Sequence, residues 1–432
     1  MEQKGKISFF AAVLIAINIM IGTGIFAAPQ LMAQISNSMS FLGWILAALL
    51  LFPIIWGTAQ ASKIFPGEGG FYNYCKCGIN PTAGFLANWS YLLGYLGTAA
   101  TQATFIRLNL ATNHNLTFCA EHPFIFNVIL ITAISLLNLL SIEVISKIQS
   151  SGTLLKISPL IFAILILPFY FNSSINYDFS YITTVPLTLP MALFGFWGFE
   201  ACCTIGHMIE GGFSQVFKAI FIAFFIVAAI YSLFHFSVLN IMGATNLMAN
   251  GAPAFPNFLG FGAGATSIIG TLVGYAILLS FLNGIYGVSL ANITSLNSLA
   301  AKKSLFFSDL LTKTNKNNRP FNAIILHAIL VLLFLTFVTK IEILVALTGL
   351  GILPALALTQ VAVFLYFLKN KFFGYLTLSG LSFVSLAVAV YYTYISLGAD
   401  NTTRISYAMI MIVGLLIGYI IFKVKSGQAE SN

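Results

Sequence analysis

Long apolar runs, separated by short polar segments, repeat from one end of the chain to the other. An apolar stretch of about 20 residues can span a bilayer. Windows bounded by charged residues, Pro or Gly predict twelve spans, which we name span 1 to span 12 in chain order. They cover residues 7–34, 41–62, 82–106, 123–141, 152–171, 185–207, 216–243, 266–295, 322–339, 343–368, 373–397 and 404–424. The pattern predicts an all-α polytopic membrane protein with one transmembrane domain over residues 1–432.

The composition excludes a soluble enzyme. Only 7% of the residues are charged and 59% are hydrophobic, whereas a soluble protein carries charge on about a quarter of its residues. The net charge of +8 is spread over short loops, which indicates membrane topology and gives no case for nucleic acid. The five cysteines show no disulfide framework; we expect buried, inert thiols.

The positions of Lys and Arg predict the orientation, because cytoplasmic loops carry an excess of both. With the N-terminus inside, the outer side keeps only Arg107, Lys340 and Arg404, and Lys156 falls within span 5. The inner side collects Lys4, Lys6, Lys63, Lys76, Lys147, Lys218, Lys302, Lys303, Lys313, Lys316, Arg319, Lys369, Lys371, Lys423 and Lys425. We therefore expect a multi-pass protein of the inner (plasma) membrane, with both termini cytoplasmic.

Two spans carry closely spaced glycines near their centres. Span 1 contains Gly22-Thr23-Gly24, and span 6 contains Gly195 and Gly198 followed by Glu200. Glycines in membrane helices often serve close packing alone. Interruptions at corresponding positions of two halves, however, are the best sequence indication of a transporter's binding site. We predict that spans 1 and 6 are broken helices.

The distance between the two breaks predicts an internal repeat. Spans 1–5 (residues 7–171) would form one copy, spans 6–10 (185–368) the second, and spans 11 and 12 (373–424) would be appended. An odd number of spans per copy forces the second copy to be inverted in the membrane, as in known transporter repeats.

The breaks also predict a chemistry. Amides at the start of the second half of span 1, around Gly22, Thr23 and Gly24, would bind a carboxylate, helped by the helix dipole. Carbonyl groups freed at the breaks, those of Met20, Phe194 and Trp197, suit an ammonium group. An α-amino acid carries both charges. The sequence shows no metal-ligand spacing, no nucleotide-binding loop and no cofactor motif.

These motifs resemble the amino acid–polyamine–organocation (APC) superfamily of transporters. The resemblance rests on Ile21-Gly-Thr-Gly-Ile-Phe26 with Pro29, on Phe65-Pro-Gly-Glu-Gly-Gly-Phe-Tyr-Asn-Tyr74, on Phe196-Trp-Gly-Phe-Glu200, and on the loop from Leu299 to Pro320. It implies the inverted-repeat fold of the leucine transporter. It also implies that Thr23 and Gly24 bind the substrate carboxylate and that the carbonyls of Met20, Phe194 and Trp197 bind the amine. Tyr91 would line the site, and Phe194 would be its lid.

Two of the charged residues inside predicted spans, Lys156 and Glu200, are candidates for a functional role. The resemblance implies that Lys156 takes the place of a sodium ion and ties span 1 to spans 5 and 8. Alternatively, Lys156 extends its side chain from the helix end to the cytoplasm. Glu200 follows the break in span 6; it either binds the unwound backbone or couples a proton or substrate movement.

The resulting hypothesis is a secondary active transporter of amino acids that works by alternating access, proton-coupled and sodium-independent, and not an enzyme. The expected partners are a small-molecule substrate, a proton and the lipid bilayer, with the protein a monomer or homodimer. An exchanger of a basic amino acid or polyamine for its decarboxylation product is the alternative, favoured by the length and the outer-loop run from Asn246 to Pro253. A membrane-embedded enzyme or a channel is the remote alternative.

Overall fold

The structure, a computed structural model, describes residues 6–22, 24–113, 116–171, 177–398 and 400–430. Each of the twelve predicted windows holds helix, so we keep the span names for these helices. In chain order they are Phe9–Met20 with Gly24–Ser36, Leu42–Ile64, Pro81–Asn113, Pro123–Leu137, Ile142–Tyr170, Leu189–Phe196 with Ala201–Ile205, Phe213–Met242, Ala263–Ala301, Phe321–Phe337, Ile341–Lys369, Phe373–Ile395 and Asn401–Glu430.

The lengths and apolar character of these helices confirm a polytopic membrane protein. Eight helices of the described chain are long and apolar enough to cross a membrane, and the bent pair of span 1 makes a ninth. Pro123–Leu137 and Phe321–Phe337 are shorter apolar helices. Within the same ranges, residues outside the helices form two isolated β-bridges and no strand.

Two details differ from the predicted windows. The helix of span 5 begins at Ile142 instead of residue 152, because polar residues such as Gln149 are fully buried between helices and do not end the helix as they end an apolar run. Predicted loops also contain short helices, which hydropathy windows cannot detect. These are Phe71–Gly78, Phe118–Glu121, Ala244–Asn250 and Ser308–Leu311, with 3-10 turns at Asn37–Met39, Phe179–Thr188, Gly206–Met208 and Ala252–Phe258.

Span 1 lies at the centre of the bundle. Every residue from Ala12 to Met20 is buried, and the helix packs against spans 5, 7 and 8. Spans 11 and 12 are peripheral: 17% of the most apolar window of span 12 is buried, against 61% for span 2. The exposed side of span 12 is apolar, with Leu416 and Ile420 more than half exposed, as a lipid-facing surface requires.

Spans 3 and 10 approach each other backbone to backbone. A Cβ built on Gly94 would lie 2.8 Å from the backbone nitrogen of Ile352, and one on Gly351 would lie 2.3 Å from the Cα of Gly94. Small residues at helix interfaces allow this approach in membranes, where dispersion contacts drive association. The contact fixes the wall of the bundle beside the breaks.

We predict that Gly94→Ala destabilises the protein. The added methyl group overpacks the span 3–span 10 contact, and overpacking costs about 1–3 kcal/mol. Gly380→Ala is the control, because a Cβ there meets no atom within 4 Å while the gain in helix propensity is the same. The measurement is the midpoint of thermal unfolding in detergent; equal midpoints for the two variants would contradict the prediction.

Candidate functional site

Spans 1 and 6 are both broken, as predicted. The first helix of span 1 ends at Met20, the second begins at Gly24, and the two are bent by 41°. In span 6 the helix ends at Phe196, Trp197 is extended, and helix resumes at Ala201. Gly198 has φ +126°, a conformation that only glycine adopts without strain.

The two breaks are in contact with each other. A Cβ built on Gly24 would lie 3.1 Å from the Cα of Gly195, and one on Gly198 would lie 2.9 Å from the backbone nitrogen of Met20. The glycines therefore allow the two unwound backbones to touch. Residues of both breaks line one small cavity.

Lys156 satisfies the unwound backbone of span 1. Its ammonium donates to the main-chain oxygen of Asn18 at 2.6 Å, to Oδ1 of Asn18 at 2.6 Å, and to the main-chain oxygen of Ile21. The side chain is fully buried. It does not extend from the helix end to water, and that alternative is wrong. The positive charge of Lys156 is thus surrounded by oxygen atoms, which are also the ligands of hard metal cations.

The same contacts reach span 8. The Asn18 amide donates to the main-chain oxygen of Asn283 at 2.8 Å, and the Ser280 hydroxyl donates to the main-chain oxygen of Ile21 at 3.3 Å. Spans 1, 5 and 8 are therefore joined at the break. No carboxylate bonds to Lys156 among the described contacts.

Tyr231 of span 7 joins the two breaks. Its hydroxyl lies 2.6 Å from the main-chain oxygen of Met20 and 3.0 Å from that of Gly195, and can donate to either. The Met20 oxygen also accepts the amide of Gly22 at 2.8 Å. Of the three carbonyls predicted to bind an ammonium group, that of Met20 must exchange a partner before it can do so.

Glu200 lies within the break of span 6. Its carboxyl accepts the Tyr95 hydroxyl at 2.9 Å and the Gly198 amide at 3.0 Å, and the side chain is fully buried. The carboxyl therefore binds the unwound backbone, the structural role considered from the sequence. This geometry does not test the coupling role.

A cavity of about 20 Å³ lies where the breaks meet. This is room for about one water molecule, so an amino acid can enter only if the walls move. Its lining comes from spans 1, 3 and 6: Ile19, Met20, Gly22, Gly24, Thr98, Gln102, Phe194, Gly195 and Trp197. Phe194 also lines an apolar cavity of about 340 Å³ next to it; its role as a lid stays a prediction.

Most, but not all, of the residues predicted to bind substrate line this cavity. Met20, Gly22, Gly24, Phe194 and Trp197 line the cavity at the breaks, whereas Thr23 lies outside the described residues. Tyr91 does not line this cavity; its ring centroid lies 4.2 Å from that of Tyr95.

The two sides of the breaks carry different contacts and cavities. On the side where the chain begins, the Ile7 amide donates to the oxygen of Met208 at 2.7 Å, and the Glu210 amide donates to the oxygen of Ile7 at 2.9 Å. On the opposite side lie the 340 Å³ cavity and one of about 770 Å³. A cavity of about 420 Å³ that Lys6, His207 and Met208 help to line also lies on the first side, and Phe194 lines both the 20 Å³ and the 340 Å³ cavities.

Sequence reasoning missed four residues that shape the site: Asn18, Tyr95, Gln102 and Tyr231. Each is a polar side chain inside a predicted span, and polar groups at membrane depth are a functional signal by default. Many other buried polar residues share that signal, so it could not have selected these four. The described residues contain no group of three metal-ligating side chains.

Comparison with known proteins identifies a family. The sequence profile described as amino acid permease matches residues 7–416. The chain is 25% identical to the arginine/ornithine antiporter of Pseudomonas aeruginosa over 78% of this chain and 72% of that protein. It is 22% identical to the serine/threonine exchanger SteT of Bacillus subtilis over 77% and 76%. An uncharacterized transporter of Mycobacterium tuberculosis is 22% identical over 58% of this chain, a match that spans 56% of the relative.

We predict that Tyr231→Phe loosens both breaks together. Loss of the hydroxyl leaves two buried carbonyls without that donor, and a lost hydrogen bond of this kind costs about 0.5–1.5 kcal/mol. Hydrogen exchange should rise in peptides that contain Met20 and in peptides that contain Gly195. Tyr286→Phe is the control, because its hydroxyl donates to Leu137 away from the breaks. A rise in only one segment would contradict the bridging role.

Proposed function

The chain belongs to the amino acid permease family, and we propose that it is a secondary active transporter that carries amino acids across the membrane by alternating access. The observation that carries the proposal is the contact between the two breaks, Gly24 against Gly195 and Gly198 against Met20. It supports a single site at which unwound amides and unwound carbonyls face one ligand. An α-amino acid is the small molecule that uses both.

The carboxylate half of the site is the start of the helix Gly24–Ser36. Free amides and the positive end of the helix dipole attract an anion there. Thr23 and Gly24 would supply the amides, and Lys156, bonded to Ile21, adds positive potential nearby. The ammonium half would use the carbonyls of Phe194 and Trp197, joined by that of Met20 once Tyr231 releases it.

The proposed topology is twelve crossings with an inverted repeat of spans 1–5 and 6–10. Helix in every predicted window and the matched breaks support it, and the excess of Lys and Arg on one side supports cytoplasmic termini in an inner (plasma) membrane. Alternating access is proposed because Phe194 lines both the 20 Å³ cavity and the 340 Å³ cavity, so that a movement of its ring would connect them.

The substrate is proposed to be a neutral amino acid. No Asp or Glu is present among the described residues that line the 20 Å³ and 340 Å³ cavities, so a cationic side chain would lack a partner there. The carboxyl of Glu200 is already bonded to Tyr95 and Gly198. Lys156 would in addition repel a second positive charge.

Exchange of a basic amino acid or polyamine is the second candidate. It is favoured by the similarity to the arginine/ornithine antiporter, whereas the similarity to the serine/threonine exchanger fits a neutral substrate. We prefer a neutral amino acid as the substrate because no acidic residue is present among the described residues that line the two cavities.

Lys156 also bears on coupling. Because its ammonium fills a ring of oxygens from Asn18 and Ile21, we propose that transport needs no sodium ion. We propose a proton as the coupling ion, with Lys156 and Glu200, both fully buried beside the breaks, as the groups that carry it.

We predict that neutral L-amino acids stabilise the purified protein and that arginine, ornithine and putrescine do not. A ligand that binds the folded state at 100 times its Kd raises stability by about 2.7 kcal/mol. The measurement is the thermal unfolding midpoint across the panel, followed by uptake of the best ligand into proteoliposomes. Stabilisation by the cationic compounds alone would favour the exchanger instead.

We predict that uptake into proteoliposomes is unchanged when sodium is replaced by choline, and that it rises when an inward proton gradient is imposed. Lys156→Met should abolish uptake, because it removes the ammonium group that bonds to both oxygens of Asn18 and to the main-chain oxygen of Ile21. Lys147→Met, on an exposed position of the same helix, is the control. A strict sodium requirement in the unaltered protein would refute the proposed role of Lys156.

A further inference from the structure

The connection between spans 8 and 9 exposes large apolar side chains. Phe306, Phe307 and Leu310 are 42%, 78% and 47% exposed, and we call these three residues the aromatic patch. They lie in and just before the short helix Ser308–Leu311. Exposed apolar side chains that cluster on a surface indicate an interaction site, whereas single ones need no explanation.

The segment that carries the aromatic patch is packed firmly on the protein. Leu305 and Leu311 are buried in a cluster with Tyr72 and Phe85. The side-chain amide of Asn322 donates to the main-chain oxygen of Leu310 at 2.8 Å. The three exposed side chains are therefore displayed by a fixed backbone, with the other apolar side chains of the segment turned towards the core.

The backbone of Phe307 is in the left-handed region, with φ +55° and ψ +30°. Such a conformation is unfavourable for a bulky residue, whereas glycine adopts it without strain. Neither the turn nor exposure to water favours phenylalanine at this position. An aromatic ring held outwards at a conformational cost is therefore evidence that the ring has a partner outside the chain.

The aromatic patch adjoins the lipid-facing surface of span 12. The ammonium group of Lys425 lies 5.6 Å from the centroid of the Phe306 ring, and the neighbouring Val424 is 44% exposed. The same connection reaches the side where the chain begins, since Lys6 and Lys316 line one cavity. The patch thus lies at the level where the apolar surface of span 12 ends and basic residues begin.

Basic residues surround the aromatic patch. Between Leu299 and Pro320 the sequence has one acidic residue, Asp309, and five basic ones, which are Lys302, Lys303, Lys313, Lys316 and Arg319. Span 12 adds Lys423 and Lys425. Clusters of about 4–8 Lys or Arg residues next to a membrane helix bind anionic lipids. Basic residues combined with exposed aromatic ones are typical of segments that lie in the membrane interface.

We propose that the aromatic patch inserts into the headgroup region of the adjacent leaflet and that the lysines around it bind the phosphate groups of anionic phospholipids. Lipid can reach the patch directly, because the patch adjoins a surface that already faces lipid. In the proposed topology this leaflet is the cytoplasmic one. Lipid binding here needs only a chain that spans a membrane, so it is independent of the substrate and of the coupling ion.

The first test measures the depth of the aromatic patch in nanodiscs that contain the purified full-length protein. Of the free cysteines, Cys77 is exposed and the other four are buried, so Phe307→Cys is made together with Cys77→Ser and labelled with a small fluorophore. Lipids with a spin label on the acyl chain should quench the fluorescence at position 307 at least about twofold more than at position 316, labelled after Lys316→Cys in the same background. Leu310→Cys provides a second position in the patch if Phe307→Cys does not fold.

The second test measures the preference for anionic lipid at position 307. Spin-labelled phosphatidylglycerol should quench at least about twofold more than spin-labelled phosphatidylcholine at the same mole fraction, because the lysines attract its net negative charge. Lys302→Gln with Lys303→Gln should bring this ratio towards one. Lys369→Gln with Lys371→Gln is the matched control, since it removes two exposed lysines from the connection between spans 10 and 11, and it should leave the ratio unchanged.

Each outcome supports or overturns the proposal. Equal quenching at positions 307 and 316 would show that the aromatic patch lies in water, free for a protein partner, and would overturn insertion. Equal quenching by the two lipids at position 307 would overturn the preference for anionic lipid. An equal fall of the ratio in both double variants would mean that general surface charge, and not the lysines of this connection, attracts the lipid.

Discussion

The structure depends on one constraint: within a bilayer, every backbone polar group needs a partner inside the protein. Two helices of this chain break near their centres, and each break frees amides and carbonyls far from water. Side chains, most of them from other spans, form hydrogen bonds with these backbone groups. Lys156 bonds to the oxygens of Asn18 and Ile21, Tyr231 reaches Met20 and Gly195, and Glu200 accepts the amide of Gly198.

These partners are unequal, and the difference matters for function. Lys156 is fully buried and makes three bonds to span 1, and Asn18 continues the connection to span 8. Tyr231 has one proton for two carbonyl oxygens and can release either. A site that must bind and discharge a ligand needs both a rigid frame and groups that exchange partners at small cost. The breaks of this protein have both.

Glycine permits the meeting of the breaks, and this explains why the glycines cluster. Gly24 and Gly195 allow one backbone to touch the other, Gly198 supplies the positive φ at the turn, and Gly22 and Gly284 leave room for the amide of Gln102. The cavity that remains, about 20 Å³, has room for about one water molecule. Substrate entry therefore requires movement, and Phe194 lies between this cavity and the larger one beside it.

The sequence by itself determined the class of protein, the helical windows and the two breaks. Apolar run length, the distribution of Lys and Arg and the spacing of glycines are local properties, readable along one dimension. Only the tertiary structure decided which residues meet. In the structure the helix of span 5 begins at Ile142, Tyr91 does not line the cavity, and Asn18, Gln102 and Tyr231 lie at the breaks. The physical reason is that a polar residue in an apolar helix has the same local signature whichever neighbour it faces. Its role follows from the partner supplied by another span.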